Sequence, residues 1–245
     1  MPRSGIHPRL LKSTSCILLD VEGTTTSISF VYDVLFPYAR EHVPEFLHEH
    51  ASSQPVQIIV AELRQQRDAD EKQGLKPPSG DDDQAVLQYV YSLMDRDSKT
   101  TPLKLLQGLI WEQGYREGKL KSHVFPDVPA AFERWKQAGR KIAIFSSGSV
   151  LAQRLLFAHT EAGDLTRYIS GYFDTTVGAK REGASYTNIA RELACEPREV
   201  TFVSDVVEEL DAAAQAGMQA VLAVRPGNRE QRQNSYPQVR TLEEL

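Results

Sequence analysis

Three short apolar runs in this chain stop abruptly at an acid or a hydroxyl, and few folds accommodate that pattern. The first is Cys16-Ile17-Leu18-Leu19, closed by Asp20 and followed by Val21-Glu22-Gly23-Thr24-Thr25. A leucine-rich run of this length, bounded by glycine and hydroxyls, reads as a fully buried strand. Lys141 to Phe145 repeats it and ends in Ser146-Ser147-Gly148-Ser149, and Val200 to Val203 ends in Ser204-Asp205. Helical patterns lie between the runs, which predicts a parallel sheet with right-handed crossovers. In open sheets of that kind ligands bind just outside the carboxyl ends of the strands. Asp20, Ser146 and Asp205 are thereby placed at one edge.

The residue types at that edge have a common chemistry. Asp20 and Glu22 offer two close carboxylates, and Gly23 lets the backbone turn tightly around a bound group. Carboxylates suit a hard cation such as Mg²⁺. An aspartate can also act as a nucleophile with a neighbouring acid as proton donor. The same letters read equally as an acidic turn after a core strand. Ser146 to Ser149, leading into a helix over Val150 to Leu156, offers hydroxyls and free N–H groups to an anion. Lys180, ahead of a helix expected to be capped by Ser185, is a compact charge suited to phosphate. Each feature alone is also an ordinary surface or capping residue; their order along one chain is what carries weight.

In that order the chain resembles the haloacid dehalogenase superfamily of phosphotransferases. More narrowly it is similar to the acireductone synthase family, the enolase-phosphatases of methionine salvage. The segments that carry the narrower resemblance are DVEGTTTSISFVYDVLFPYA (Asp20 to Ala39), KTTPLKLLQGLIWEQGY (Lys99 to Tyr115), FSSGSVLAQRLLF (Phe145 to Phe157), GYFDTTVGAKREGASY (Gly171 to Tyr186), SDVVEELDAA (Ser204 to Ala213) and VRPGN (Val224 to Asn228). Glu22 separates this family from most superfamily phosphatases, which have aspartate there.

The resemblance implies an α/β fold: a doubly wound parallel-sheet, haloacid dehalogenase-like core with an inserted helical cap. It makes Asp20 the nucleophile and a Mg²⁺ ligand, and Glu22 the acid/base, which also binds the metal through its backbone carbonyl. Ser146, Ser147 and Lys180 contact the phosphate or substrate. Asp205 is the second metal carboxylate, and Glu209 supports the metal site without ligating it. One Mg²⁺ per chain is expected. The implied reaction converts 2,3-diketo-5-methylthiopentyl-1-phosphate to the acireductone 1,2-dihydroxy-3-keto-5-methylthiopentene and phosphate, through an aspartyl-phosphate. The alternative is a small-metabolite phosphatase without enolase activity. A non-catalytic relative is disfavoured because Asp20, Glu22, Lys180 and Asp205 are all present. Dehalogenation is disfavoured because it needs neither metal nor the acid at Glu22.

Bulk properties bound the partners. A net charge of −5 over 245 residues, without a long basic run, excludes nucleic acid and anionic membrane as main partners. The expected partner is a phosphorylated small molecule, and the protein is expected to be a monomer. Positive potential for such a substrate must then be built locally, by Lys180 and the metal. Cys16 and Cys195 are the only cysteines, which points to reduced thiols and a cytoplasmic location, with the nucleus open in a eukaryote. Met1 to Ser15 is basic and polar and reads as a loose leader, and no run is long enough to span a bilayer. The six histidines show no metal-ligand spacing.

The expected domains are residues 1–32 with 121–245 as the catalytic core, and 33–120 as the cap. Within the cap, Val34/Leu35, Tyr38, His42/Val43 and Phe46/Leu47 recur at helical spacing, with Pro37 and Pro44 expected to open or interrupt helices. Further stripes are Val56, Ile59, Val60 and Leu63; then Val86, Leu87, Val90, Tyr91 and Met94; then Leu103, Leu106, Leu109 and Ile110, with Thr101 as N-cap and Pro102 opening the helix. Gly74 to Gln84 reads as a loop whose acids, Asp81 to Asp83, are solvated. In the core a helix bearing Val128, Phe132 and Trp135 should end at Gly139. A final strand spans Gln219 to Val224, after an Ala-rich helix ending near Gly217.

Overall fold

In a computed structural model, residues 13–80 and 82–245 are described; most of the expected leader and Asp81 lie outside them. The chain divides into two compact units, one of residues 13–31 and 121–245, the other Tyr32–Leu120.

The first unit is built on a parallel sheet of β1 (Cys16–Leu19), β2 (Lys141–Phe145), β3 (Gly171–Phe173), β4 (Val200–Ser204), β5 (Gln219–Ala223) and β6 (Gln238–Val239), in the order β3-β2-β1-β4-β5-β6. All four residues of β1 are fully buried, because β1 has a strand on either side and is buried on both faces. Each of its Ile and Leu side chains contributes roughly 1.5–3 kcal/mol by burial. Helices α5 (Val128–Gln137), α6 (Val150–Ala158), α7 (Gly183–Glu192) and α8 (Val207–Gln215) form the crossovers. As expected, α5 buries Val128, Phe132 and Trp135 and stops just before Gly139, which has φ +73°. The strand order reverses at β1, so the loop after β1 sits at the topological switch point where ligands bind.

Register fixes what shares the carboxyl edge of the sheet. Leu19 pairs with Ile144 on one side and Val203 on the other. Asp20, one residue beyond, therefore stands level with the ends of β2 and β4, and its N–H donates to the Val203 carbonyl (3.0 Å). The loop after β1 is held from the far end of the chain. Arg225 Nε donates to Thr24 O (3.1 Å), while its two terminal nitrogens grip the Asp127 carboxylate (3.1 and 2.7 Å). The Leu242 N–H also donates to Asp127 (2.5 Å). Removing one partner of such a buried ion pair costs about 3–5 kcal/mol, because the other is left charged and unpaired.

The second unit contains α1 (Phe36–Glu49), α2 (Gln54–Lys72), α3 (Asp83–Asp95) and α4 (Thr101–Arg116), entered through a π-helical stretch over Phe30–Leu35. Pro37 lies in the first turn of α1, as expected, but Pro44 lies inside that helix and does not interrupt it. Packing on Ala39, Val43 and Phe46 outweighs the lost hydrogen bond. Thr100, not Thr101, occupies the N-cap position of α4. The buried face of α3 is Ala85, Val86, Tyr89, Val90 and Leu93, not the expected Leu87, Tyr91 and Met94. Tyr89 is drawn inward because its hydroxyl donates to buried Asp70 (2.9 Å). No described helix is long and apolar enough to cross a membrane.

Candidate active site

Asp20 is almost fully buried at the end of β1, and one carboxylate oxygen, Oδ1, receives the Lys180 ammonium at 2.6 Å. The same ammonium reaches Glu209 Oε2 at 2.7 Å. Burial opposes the charge on Lys180, but the two carboxylates more than offset it and hold its pKa above the usual value. Lys180 is thus a fixed cation between two anions. Ser204 Oγ donates to Glu209 Oε2 (3.0 Å) and lies 3.4 Å from Asp20 Oδ2.

Lys180 arrives there on a loop of unusual shape. Gly178 has φ +135°, and a Cβ on it would stand 2.3 Å from Ser185 Oγ. Ser185 was expected to cap the following helix. It instead lies inside α7, whose N-cap position is Glu182, and its hydroxyl donates to Ala179 O (2.7 Å). Tyr186 donates to Lys180 O (2.7 Å). The serine that looked like a cap is part of the brace that aims the lysine.

Asp205, just past β4, is buried against the loop after β1. A Cβ on Gly23, where φ is +73°, would lie 2.4 Å from Asp205 Oδ2, so only glycine lets the two approach. Burial, with repulsion from Asp20 and Glu209, pushes the Asp205 carboxyl up to about 7. Burial and Asp20 likewise raise Glu209. Glu22 is half-buried in the turn, with a backbone bridge to Thr26.

Ser146 is buried in the loop after β2, its N–H on Phe173 O (3.1 Å) and its Oγ accepting from Gly148 N–H (3.0 Å). Ser147 is half-buried beside it, and Ser149 caps α6 by accepting from Ala152 N–H (3.3 Å). Two residues that sequence reasoning passed over support this loop. Asp174 Oδ2 accepts from Val150 N–H (3.2 Å), and the Gln153 amide donates to Gly148 O (2.9 Å) and Phe173 O (2.8 Å). Gln153 carried no signal; Asp174, which follows β3 as Asp20 follows β1, repeats the acid-after-strand signal.

Comparison with known proteins decides the family. A model described as haloacid dehalogenase-like hydrolase matches residues 14–217. The enolase-phosphatase E1 of Drosophila sechellia is 51% identical over 214 residues, 86% of this chain and 84% of its own. That of Synechococcus elongatus is 49% identical over 233 residues, 95% of this chain and 98% of its own. The chain belongs to the enolase-phosphatase E1 family of haloacid dehalogenase-like hydrolases. The crystal structure of UTR4 protein from Saccharomyces cerevisiae, 35% identical, superposes with a TM-score of 0.80 over 95% of this chain and all of that one. A haloacid dehalogenase phosphatase from Thermococcus onnurineus, 22% identical and with a TM-score of 0.58, shares the fold.

For this family member the donor set fits a hard divalent cation. Among the described residues no three His, Cys, Asp or Glu side chains form a ready metal cage. Such a cage is not what Mg²⁺ requires, since it is typically held by one or two carboxylates with waters and substrate oxygens. Asp20, Asp205 and Glu209 are buried around the single ammonium of Lys180. A divalent cation bound beside Asp20 and Asp205 would offset this surplus of negative charge.

The raised Asp205 carboxyl gives a pH test. Its folded pKa lies above the ordinary 3.8, so its stabilising protonation is fully present below about 3.8 and lost as pH rises through about 7. The displacement is worth on the order of 4 kcal/mol. In metal-free protein, Asp205→Asn should therefore melt higher than wild type at pH 7.5, and the gap should close towards pH 4. Added Mg²⁺ should narrow the gap at pH 7.5 by stabilising wild type more. A gap that ignores pH, measured by calorimetry, rules out this account of Asp205.

Proposed function

We propose that this enzyme enolises 2,3-diketo-5-methylthiopentyl-1-phosphate and then removes its phosphate to release the acireductone. The observation that carries the reading is the Lys180–Asp20 pair, 2.6 Å long and buried at the switch point, with Asp205 against the same loop. Lys180 engages one Asp20 oxygen, Oδ1, and the other, Oδ2, is the one that would attack phosphorus. In that attack an Asp20 oxygen–phosphorus bond forms and the ester phosphorus–oxygen bond breaks, with Glu22 giving its proton to the departing oxygen. Glu22, now a base, takes a proton from water, which attacks the aspartyl-phosphate and frees phosphate and Asp20. Ser146, Ser147 and Lys180 hold the non-reacting phosphate oxygens. Asp20, Asp205 and the Glu22 carbonyl would hold one Mg²⁺, which supplies charge neutralisation and polarises substrate oxygens.

The same reading takes residues 33–120 as a cap inserted into a core of 1–32 and 121–245. It takes the protein as a cytoplasmic monomer whose partner is the phosphorylated substrate. The test is to supply the diketone phosphate with Mg²⁺ and follow the ultraviolet-absorbing enediol together with phosphate release. An enol signal preceding phosphate is expected. Equal cleavage of generic phosphate monoesters with no enol signal would establish the simpler phosphatase in its place.

A further inference from the structure

The segment Val224 to Asn228 contributes a second grip on the loop after β1. Asn228 Nδ2 donates to Gly23 O (2.9 Å) and to Ala223 O (3.2 Å). An amide nitrogen facing two carbonyls has only one workable orientation, because the amide oxygen cannot donate. The position of Oδ1 follows from it. That oxygen is buried and has no hydrogen-bond partner among the described residues. It also lies close to Asp205: a Cβ on Gly23 would stand 2.9 Å from Asn228 Oδ1 and 2.4 Å from Asp205 Oδ2. A buried acceptor left without a donor costs about 1–3 kcal/mol, and an ionised carboxylate has no proton to offer it.

We propose that Asn228 is a positioning residue for the cation site: its Oδ1 accepts a hydrogen bond from a water in the shell of the divalent cation held by Asp20 and Asp205, while its Nδ2 fixes the Gly23 carbonyl and the turn that carries Glu22. The inference rests on the Mg²⁺ reading above and adds a residue to it. Mg²⁺ keeps several of its waters when bound to protein, and those waters need oriented acceptors. An amide oxygen supplies one without adding a further negative charge beside Asp20, Asp205 and Glu209. Loss of such outer partners typically weakens metal binding 10–100-fold.

The experiment titrates Mg²⁺ into metal-free wild type, Asn228→Ala and Arg225→Lys by calorimetry at fixed ionic strength, with the melting temperature of each metal-free protein recorded. Arg225 holds the same loop at Thr24 without offering an acceptor, so its variant reports loosening alone. Asn228→Ala should raise the Mg²⁺ Kd at least tenfold, and Arg225→Lys should keep it within threefold even where it melts lower. If Asn228→Ala does not fold, Asn228→Ser is judged by the same criterion. Wild-type binding with an Asn228 variant within twofold overturns the role of Asn228 alone, as does an equal loss in Arg225→Lys. No Mg²⁺ binding by wild type overturns the cation reading itself.

Discussion

Asp20→Asn should lower phosphate release by roughly 10⁴-fold or more, on the scale of other lost catalytic nucleophiles, while leaving the fold intact. The substitution keeps the shape of the side chain and an amide oxygen that can still accept from Lys180, whose second partner Glu209 is untouched. What it removes is the anionic oxygen that would bond phosphorus and one carboxylate of the cation pair. Two measurements separate these effects. Rapid quench with labelled substrate should find acid-stable, hydroxylamine-sensitive phosphate on the wild type and none on the variant. The melting temperature of the metal-free variant should stay within a few degrees of wild type. Turnover by the purified variant above about one percent of wild type would remove Asp20 from the role of nucleophile.

Lys180→Met should be the second most damaging change, and it should damage stability as well as turnover. Removing the ammonium leaves Asp20 and Glu209 buried without the cation both contact. Breaking a buried pair in this way costs about 3–5 kcal/mol, and each kcal/mol lowers the melting temperature by about 2–4 °C in a chain of this size. The sign with pH is specific. The wild-type lysine has a folded pKa above its ordinary 10.5, so its stabilisation is complete below that value and is lost only in alkali. In the variant Glu209, raised by burial and by Asp20, loses the ammonium that opposes that rise. The deficit should therefore be largest at pH 7 to 8 and shrink as pH falls towards 5. Loss of one charged contact to the transferring phosphoryl group should also cost roughly 10²–10³-fold in rate. A stability deficit that does not change with pH would show that Lys180 packs there without balancing charge.

The apolar runs made β1, β2, β4 and β5 readable because strands buried on both faces need apolar side chains at nearly every position. β3 and β6 escaped notice for the opposite reason. Gly171–Phe173 and Gln238–Val239 are too short to show a run, and most of their residues are not fully buried. The misplaced face of α3 has a similar cause. DQAVLQYVYSLMD is apolar around most of its circumference, so periodicity alone does not say which way Tyr89 or Tyr91 turns. At the candidate site, Asp20, Lys180, Asp205 and Glu209 were all visible as residue types after strands or ahead of helices. The contacts among them were not. Nothing in the letters said that Glu209 would share the Lys180 ammonium with Asp20, or that Ser185 would leave its expected cap to brace Ala179. Arg225 and Asn228 stood in a recognised motif, yet the Thr24 and Gly23 carbonyls to which they donate belong to a loop some 200 positions earlier in sequence.

That separation governs when the enzyme can first exist as such during its own synthesis. β1 is synthesised well before its neighbours β2 and β4, with Cys16 pairing to Lys141 and Val200. The two side chains that fasten the turn carrying Glu22 come later still, after β5. Contacts this distant along the chain form slowly, because a long loop must be closed before any of them gives a return. A nascent chain ending before Val224 thus has strands β1 to β5 in hand with the Gly23–Thr24 turn unfastened, and competence waits for the segment that follows β5.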